Sequence, residues 1–220
     1  MTSKAFIVKF RLPLLIFFSA LVLFFSLRLI NLTRIPVFVD EAIYIRWSQI
    51  MRNEPSLRFL PLSDGKQPLF MWATMPALKY VSDPLVAGRL VSLFAGLISL
   101  IGLSLLTFTL TASLPIASFA ALFYAILPFT VFFDRLALAD SLLAAFGVWS
   151  LVLGSWLIKK PRLDSAMLLG FAIGFGLLTN TPAVFFYLWQ PLLFLFLFDF
   201  RAPHLRRRLI KLGAVWLVTV

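Results

Sequence analysis

The spacing of apolar runs limits this chain's fold before any single residue does. A run from about Leu12 to Ile30 follows Lys4, Lys9 and Arg11, and at ~1.5 Å per helical residue it is long enough to cross a ~30 Å hydrocarbon core. Further runs cover about Leu90 to Leu110, Pro115 to Phe133, Ser141 to Ile158, Ser165 to Leu178 and Ala183 to Phe198, and another opens at Leu212. The expectation is an all-α, polytopic membrane bundle of about six complete spans with a shorter seventh, forming one module over residues 1–220. Composition agrees: hydrophobic residues make up 61%, charged residues 13%, and mean hydropathy is +0.99, far from a soluble domain.

The net charge of +11 would point to nucleic acid in a soluble protein. Here the bases cluster between apolar runs, so the lipid bilayer accounts for them and no nucleic-acid partner is expected. The absence of cysteine excludes thiolate metal sites, cysteine nucleophiles and disulfides. His204 sits in a basic run and reads as a solvated loop residue. The first apolar run exceeds the ~7–15 residue core of a signal peptide and no small-x-small site follows it, so it reads as a retained span. Asn31-Leu32-Thr33 fits a glycosylation sequon but abuts the membrane. The final run reaches Val220 after nine residues, about half of what a span needs. It is read as a stub or as the end of an N-terminal portion that inserts but transfers little alone.

Orientation follows from two basic connectors, Lys159-Lys160-Pro161-Arg162 and Arg201 to Lys211, which the positive-inside rule assigns to the cytoplasm. With a cytoplasmic N-terminus, four spans deliver Lys159 inside. Counting the short run Pro68 to Val81 as a fifth would put it outside, so that fourteen-residue piece is expected to be interfacial or re-entrant. The plasma membrane is the expected location. Residues from about 31 to 87 then form the first external loop, with a short amphipathic helix in which Ile43, Trp47, Ile50 and Met51 lie opposite Arg46 and Gln49. Seven of the nine acids fall on this external side, as do many of the loop's cations.

Three groups share that side: Asp40-Glu41, the turn Asp64-Gly65-Lys66-Gln67-Pro68, and Asp134-Arg135-Leu136-Ala137-Leu138-Ala139-Asp140. Each has a structural reading. Asp40 and Asp140 suit helix N-termini, Asp64-Gly65 is ordinary turn chemistry, and Lys66 can snorkel. Together, carboxylates facing Lys and Arg at a membrane surface suit transfer from a lipid phosphate. Such transfer needs a base or metal-linked carboxylate for the acceptor and cations for the phosphate. Gly170-x-x-x-Gly174 with Gly176 reads as close helix packing.

Asp40-Glu41-Ala42-x-Tyr44, Gly65-Lys66-x-Pro68-Leu69-Phe70, Ala87-Gly88-Arg89-Leu90 and Arg135 to Asp140, in this order and spacing over nearly the whole chain, resemble the GT-C membrane glycosyltransferases. The likeness is to the protein O-mannosyltransferase and aminoarabinose transferase group. The resemblance implies an inverting transferase that takes a sugar from a polyprenyl-phosphate donor to a hydroxyl of a lipid, glycan or protein acceptor at the extracytoplasmic face. It implies Asp40 as general base or metal-linked carboxylate, supported by Glu41. Lys66, and secondarily Arg135, would bind the donor phosphate, and Asp140 would position the acceptor or a cation. Any cofactor would be a divalent cation held by Asp40 and Asp140, while Arg89 would anchor a helix end. Gln67 replaces a frequent family proline, and Thr179-Asn180 replaces a frequent Thr-Lys, removing a cation. Family members are commonly more than twice this length. The competing readings are a transporter or flippase-like protein with a carboxylate ion path, and a non-catalytic remnant of the fold.

Overall fold

The computed structural model describes residues 3–198 together with Ile210, Leu212, Gly213, Val215 and Thr219, with backbone alone for residues 3–9. Its elements are α1 (Ser3–Leu29), α2 (Val39–Asn53), α3 (Leu69–Tyr80), α4 (Pro84–Thr111), α5 (Leu114–Ile126), α6 (Pro128–Phe133), α7 (Ala139–Lys159), α8 (Leu163–Thr179) and α9 (Val184–Leu197), with 3-10 turns at Pro55–Leu57, Leu60–Asp64 and Thr181–Ala183. No strand occurs among the described residues. Apart from Ile210, the basic connector Arg201 to Lys211 lies outside the described residues, as does part of the run that opens at Leu212.

Three described helices are long and apolar enough to cross a membrane: Phe10–Leu29 within α1, α4 and α7. The other expected spans are shorter. Pro115 to Phe133 does not form one helix but two, because Pro128 offers no N–H to continue the ladder and holds Leu127 in an extended conformation at ψ 121°. α8 has 17 residues and α9 has 14, with Pro191 inside it, so each falls short of ~30 Å by itself. α3 has 12 residues, consistent with a segment too short to cross.

Packing joins these helices in three apolar clusters. Ala20 and Phe24 of α1, Leu93 and Leu100 of α4, and Ala121, Tyr124 and Ala125 of α5 form the first. The second, beneath the loop helices, unites Ile45 and Met51 of α2, Phe70 and Met71 of α3, and Ala137 and Ala139 at the entry to α7. Leu153 and Leu157 of α7 with Leu169, Ala172 and Ile173 of α8 make the third. Many phenylalanines and leucines along the outer faces stay exposed, among them Phe18, Phe94, Phe119 and Phe196, as lipid-facing positions require.

The segment expected as one external loop is largely helical. α2 buries Glu41, Ile45, Ser48 and Met51, a stripe at i, i+4, i+7 and i+10. Hydropathy placed the buried stripe about one position away because two members of the true one are polar. α4 begins at Pro84, ahead of the apolar run that opens at about Leu90. Asp83 accepts hydrogen bonds from the N–H groups of Leu85 and Val86, at 2.8 and 3.4 Å, and Pro84 opens the helix, a usual N-terminal arrangement.

Candidate active site

Adjacent residues on a helix point about 100° apart, and α2 uses this to give Asp40 and Glu41 opposite fates. Glu41 turns inward and is fully buried. Its carboxylate accepts a two-pronged pair from Arg89, Nε to Oε1 and Nη2 to Oε2, both at 2.9 Å. It also accepts the N–H groups of Ala137 at 2.6 Å and Phe38 at 3.0 Å. Burial alone would raise its pKa, but the Arg89 hydrogen bonds, the two backbone N–H groups and the Arg89 charge outweigh that and hold Glu41 below its ordinary value. Arg89, also fully buried, donates further to the carbonyls of Leu32 at 2.6 Å and Ile35 at 3.1 Å. One ion pair thus ties the exit of α1, the start of α2, α4 and the α6–α7 link. Arg89 does anchor a helix end, as its place in the sequence suggests. Glu41, fully buried, offers no exposed carboxylate.

Asp40 turns outward. Lys66 Nζ donates to its Oδ1 at 2.7 Å, with the two side chains partly exposed. The hydrogen bond to Asp40 raises the Lys66 pKa against the smaller effect of burial. Gly65, at φ +70°, ends the Leu60–Asp64 turn in the left-handed region and sends the chain back so that Lys66 reaches α2. The ammonium lies 5.0 Å from the centre of the Tyr44 ring, and Tyr44 is fixed against Trp47 and Phe70. Asp140, in the first turn of α7, is close enough for its charge to act on both Asp40 and Tyr44. The structure therefore brings together Asp40, Lys66 and Asp140, residues drawn from three separate stretches of sequence, and adds Tyr44. No cluster of three or more His, Cys, Asp or Glu occurs among the described residues. Asp40 and Asp140 are the two carboxylates this site would offer a divalent cation.

Arg135 has a different placement from the donor-phosphate role. Its Nη1 and Nη2 donate to the carbonyls of Leu27, Ile30 and Asn31 at 3.1, 3.1 and 2.7 Å. Leu27 lies in the last turn of α1, whose carbonyls have no partner within the helix, and Ile30 and Asn31 follow it directly, so the guanidinium serves as a C-terminal cap, with its buried Nε left without a partner.

Sequence reasoning missed the buried pair beside it. Arg28 Nε donates to Asp134 Oδ2 at 2.9 Å, with both side chains essentially inaccessible. Asp134 Oδ1 accepts the Ser141 hydroxyl at 2.7 Å, and Tyr124 Oη donates to Oδ2 at 3.4 Å. Arg28 Nη1 also reaches the carbonyl of Ala125 at 2.9 Å and the guanidinium covers the Phe24 ring at 4.0 Å. A lone arginine near the end of an apolar run reads as snorkelling, and its partner lies 106 positions away. The nearest signal was an acid, Asp134, at the end of another run. Next to this pair, Tyr124, Phe129, Thr130, Phe133, Asp140 and Phe186 help to line a mostly apolar cleft of about 320 Å³. Asp140 is the member of the charged site that lines it.

Residues 60–217 match the model of the dolichyl-phosphate-mannose-protein mannosyltransferase family. The match takes in Lys66, Arg89, Asp134, Arg135 and Asp140 and begins downstream of Asp40 and Glu41. No curated protein and no solved structure matches the chain. The family match covers well over half of the residues, and with the membrane-length helices and the charged site at their ends, the chain belongs to this GT-C family of membrane glycosyltransferases.

Proposed function

We propose that this module transfers a sugar from a polyprenyl-phosphate donor to an acceptor hydroxyl at the extracytoplasmic face, with inversion at the anomeric carbon. The observation that carries this reading is the Asp40–Lys66 pair at 2.7 Å, flanked by Asp140 and set beside an apolar cleft. A base, a phosphate-seeking cation and a lipid-compatible groove are the three parts such a reaction needs. In this reading α1, α4 and α7 cross the membrane and the broken α5–α6 pair returns the chain between α4 and α7, so that α2, α3 and the α6–α7 link face the same side.

With the donor bound, its phosphate competes with Asp40 for Lys66. Drawing the ammonium towards the phosphate leaves the Asp40 carboxylate free to take the acceptor's proton. The acceptor oxygen then forms its bond to the anomeric carbon as the bond from that carbon to the phosphate oxygen breaks. The electron pair departs with the phosphate, where Lys66 meets the added charge. Asp140 orients the acceptor hydroxyl or, with Asp40, a divalent cation. Glu41 and Arg89 hold the first turn of α2 so that Asp40 meets Lys66 at this distance.

The test is transfer of labelled sugar from an α- or β-linked polyprenyl-phosphate donor by the protein in membranes, with the product's anomeric configuration read by NMR. Product of opposite configuration to the donor supports the reading. Product of retained configuration, or no dependence on the lipid-phosphate donor, contradicts it.

A further inference from the structure

A second cleft lies on the loop layer, away from Asp40. Arg46, Gln49, Arg52 and Asn53 of α2 face the end of α3 at Leu78, the α3–α4 link at Val81 and Ser82, and Pro84 at the start of α4, enclosing about 340 Å³. Positions 46, 49, 52 and 53 fall on one helical face, so α2 presents two guanidiniums and two amides to a single space. No carboxylate lines it. Among the described residues neither arginine forms an ion pair. Arg52 Nη1 donates to the Leu78 carbonyl, which pins its guanidinium to the wall and leaves its other N–H groups for a ligand. The nearby acid Asp83 has Oδ1 engaged in capping α4.

Arginines on an external loop run against the usual charge bias of membrane proteins. Of the other cations there, Lys66 holds Asp40 and Arg89 holds Glu41, while Arg34, Arg58 and Lys79 lie outside the lining of this cleft. Arg46 and Arg52 have no such acid. A cleft walled by two guanidiniums and two carboxamides, with no competing carboxylate, has the chemistry of an oxyanion site.

We propose that this cleft binds a phosphate- or carboxylate-bearing group, as a subsite separate from the Asp40–Lys66 centre. At ~1.5 Å per residue it begins ~9 Å from Asp40 along α2 and extends to ~20 Å. That separation suits an anionic group on the same acceptor whose hydroxyl reacts at Asp40. The acceptor role rests on the reading of Asp40 given above; anion binding does not. The same chemistry is offered by a phospholipid headgroup, and the experiment separates the two sources.

The chain's lack of cysteine makes a site-directed probe direct. Ser82→Cys, at the cleft's rim, carries an environment-sensitive fluorophore, with the protein in phosphatidylcholine nanodiscs. Inorganic phosphate is titrated at constant ionic strength, and in a second arm phosphatidylglycerol replaces part of the phosphatidylcholine. A saturable response to phosphate is expected, weakened at least tenfold by Arg46→Gln or Arg52→Gln and unchanged by Arg34→Gln, an exposed loop arginine outside the cleft. Arg46 is exposed and makes no internal bond, so its variant folds whatever Arg52→Gln does. An Arg46-dependent response to phosphate assigns the subsite to a water-borne anionic group. One confined to phosphatidylglycerol assigns it to a headgroup. A response that tracks ionic strength alone, or that ignores Arg46 in both arms, overturns the proposal. No outcome depends on sugar transfer, so failure here leaves the catalytic reading standing.

Discussion

Asp40 and Glu41 show how one residue step separates chemistry from architecture. Glu41 is buried in a four-bond cage and Asp40 is left to meet Lys66. Removing one partner of a buried pair strands the other's charge at a cost of about 3–5 kcal/mol. Arg89→Met should therefore lower thermal stability sharply. The Glu41 pKa lies below its ordinary value of 4.5, so the stability this pair contributes is present above that pH and lost as pH falls through the lowered folded value. Denaturation followed from pH 7 downward should show that loss in the wild type and a shallower acid limb in Glu41→Gln. An unchanged acid limb in the variant would remove Glu41 from this role. Asp40, Lys66 and Asp140 were legible in the sequence because their motifs come in a fixed order. The inward turn of Glu41 was not legible, since an Asp-Glu pair at a helix start is symmetric until the packing partner, Arg89, is known. The capping role of Arg135 was hidden for the same reason, because carbonyls at a helix end leave no mark in sequence.

Among the elements, α5 and α6 depart most from a simple hydropathy reading, and the departure has a structural use. The break at Pro128 frees the carbonyls of Tyr124 and Ala125. Arg28 takes that of Ala125 at 2.9 Å and the Thr130 hydroxyl takes that of Tyr124 at 2.7 Å. The break thereby brings Asp134 inward to Arg28 and sets Ser141 and Asp140 at the start of α7. The carboxylate fits only because α4 has glycine opposite it: a Cβ at Gly96 would stand 2.3 Å from Asp134 Oδ2. Gly96→Ala should destabilise the protein by about 1–3 kcal/mol through overpacking, while Gly65→Ala should act by backbone strain and misplace Lys66 instead. Thermal denaturation of the two variants beside donor affinity separates them: Gly96→Ala loses stability first, Gly65→Ala loses donor binding. Apolar runs marked the positions of these helices but not their ends, because caps such as Asp83 and breaks such as Pro128 depend on local hydrogen bonds that average hydropathy ignores.

For the molecule as a whole, the account requires α2, α3 and the start of α7 to share the external side. Single cysteines at Ser63 and Ser82 flank α3, and both should react with an impermeant thiol reagent in intact cells; protection of either until permeabilisation would place α3 across the membrane and divide the site. The central claim is that Asp40 takes the acceptor's proton while Lys66 holds the donor phosphate. It is tested most directly by measuring turnover and donor binding together for Asp40→Asn in the full protein, with membrane expression as a control for folding. Asparagine keeps the size of aspartate and removes its charge. The account predicts a fall in turnover of roughly 10² or more with donor binding retained, whereas Lys66→Met should weaken donor binding and transfer together. Near-normal turnover by a normally expressed Asp40→Asn would contradict it and leave Asp40 a structural partner of Lys66 in the first turn of α2.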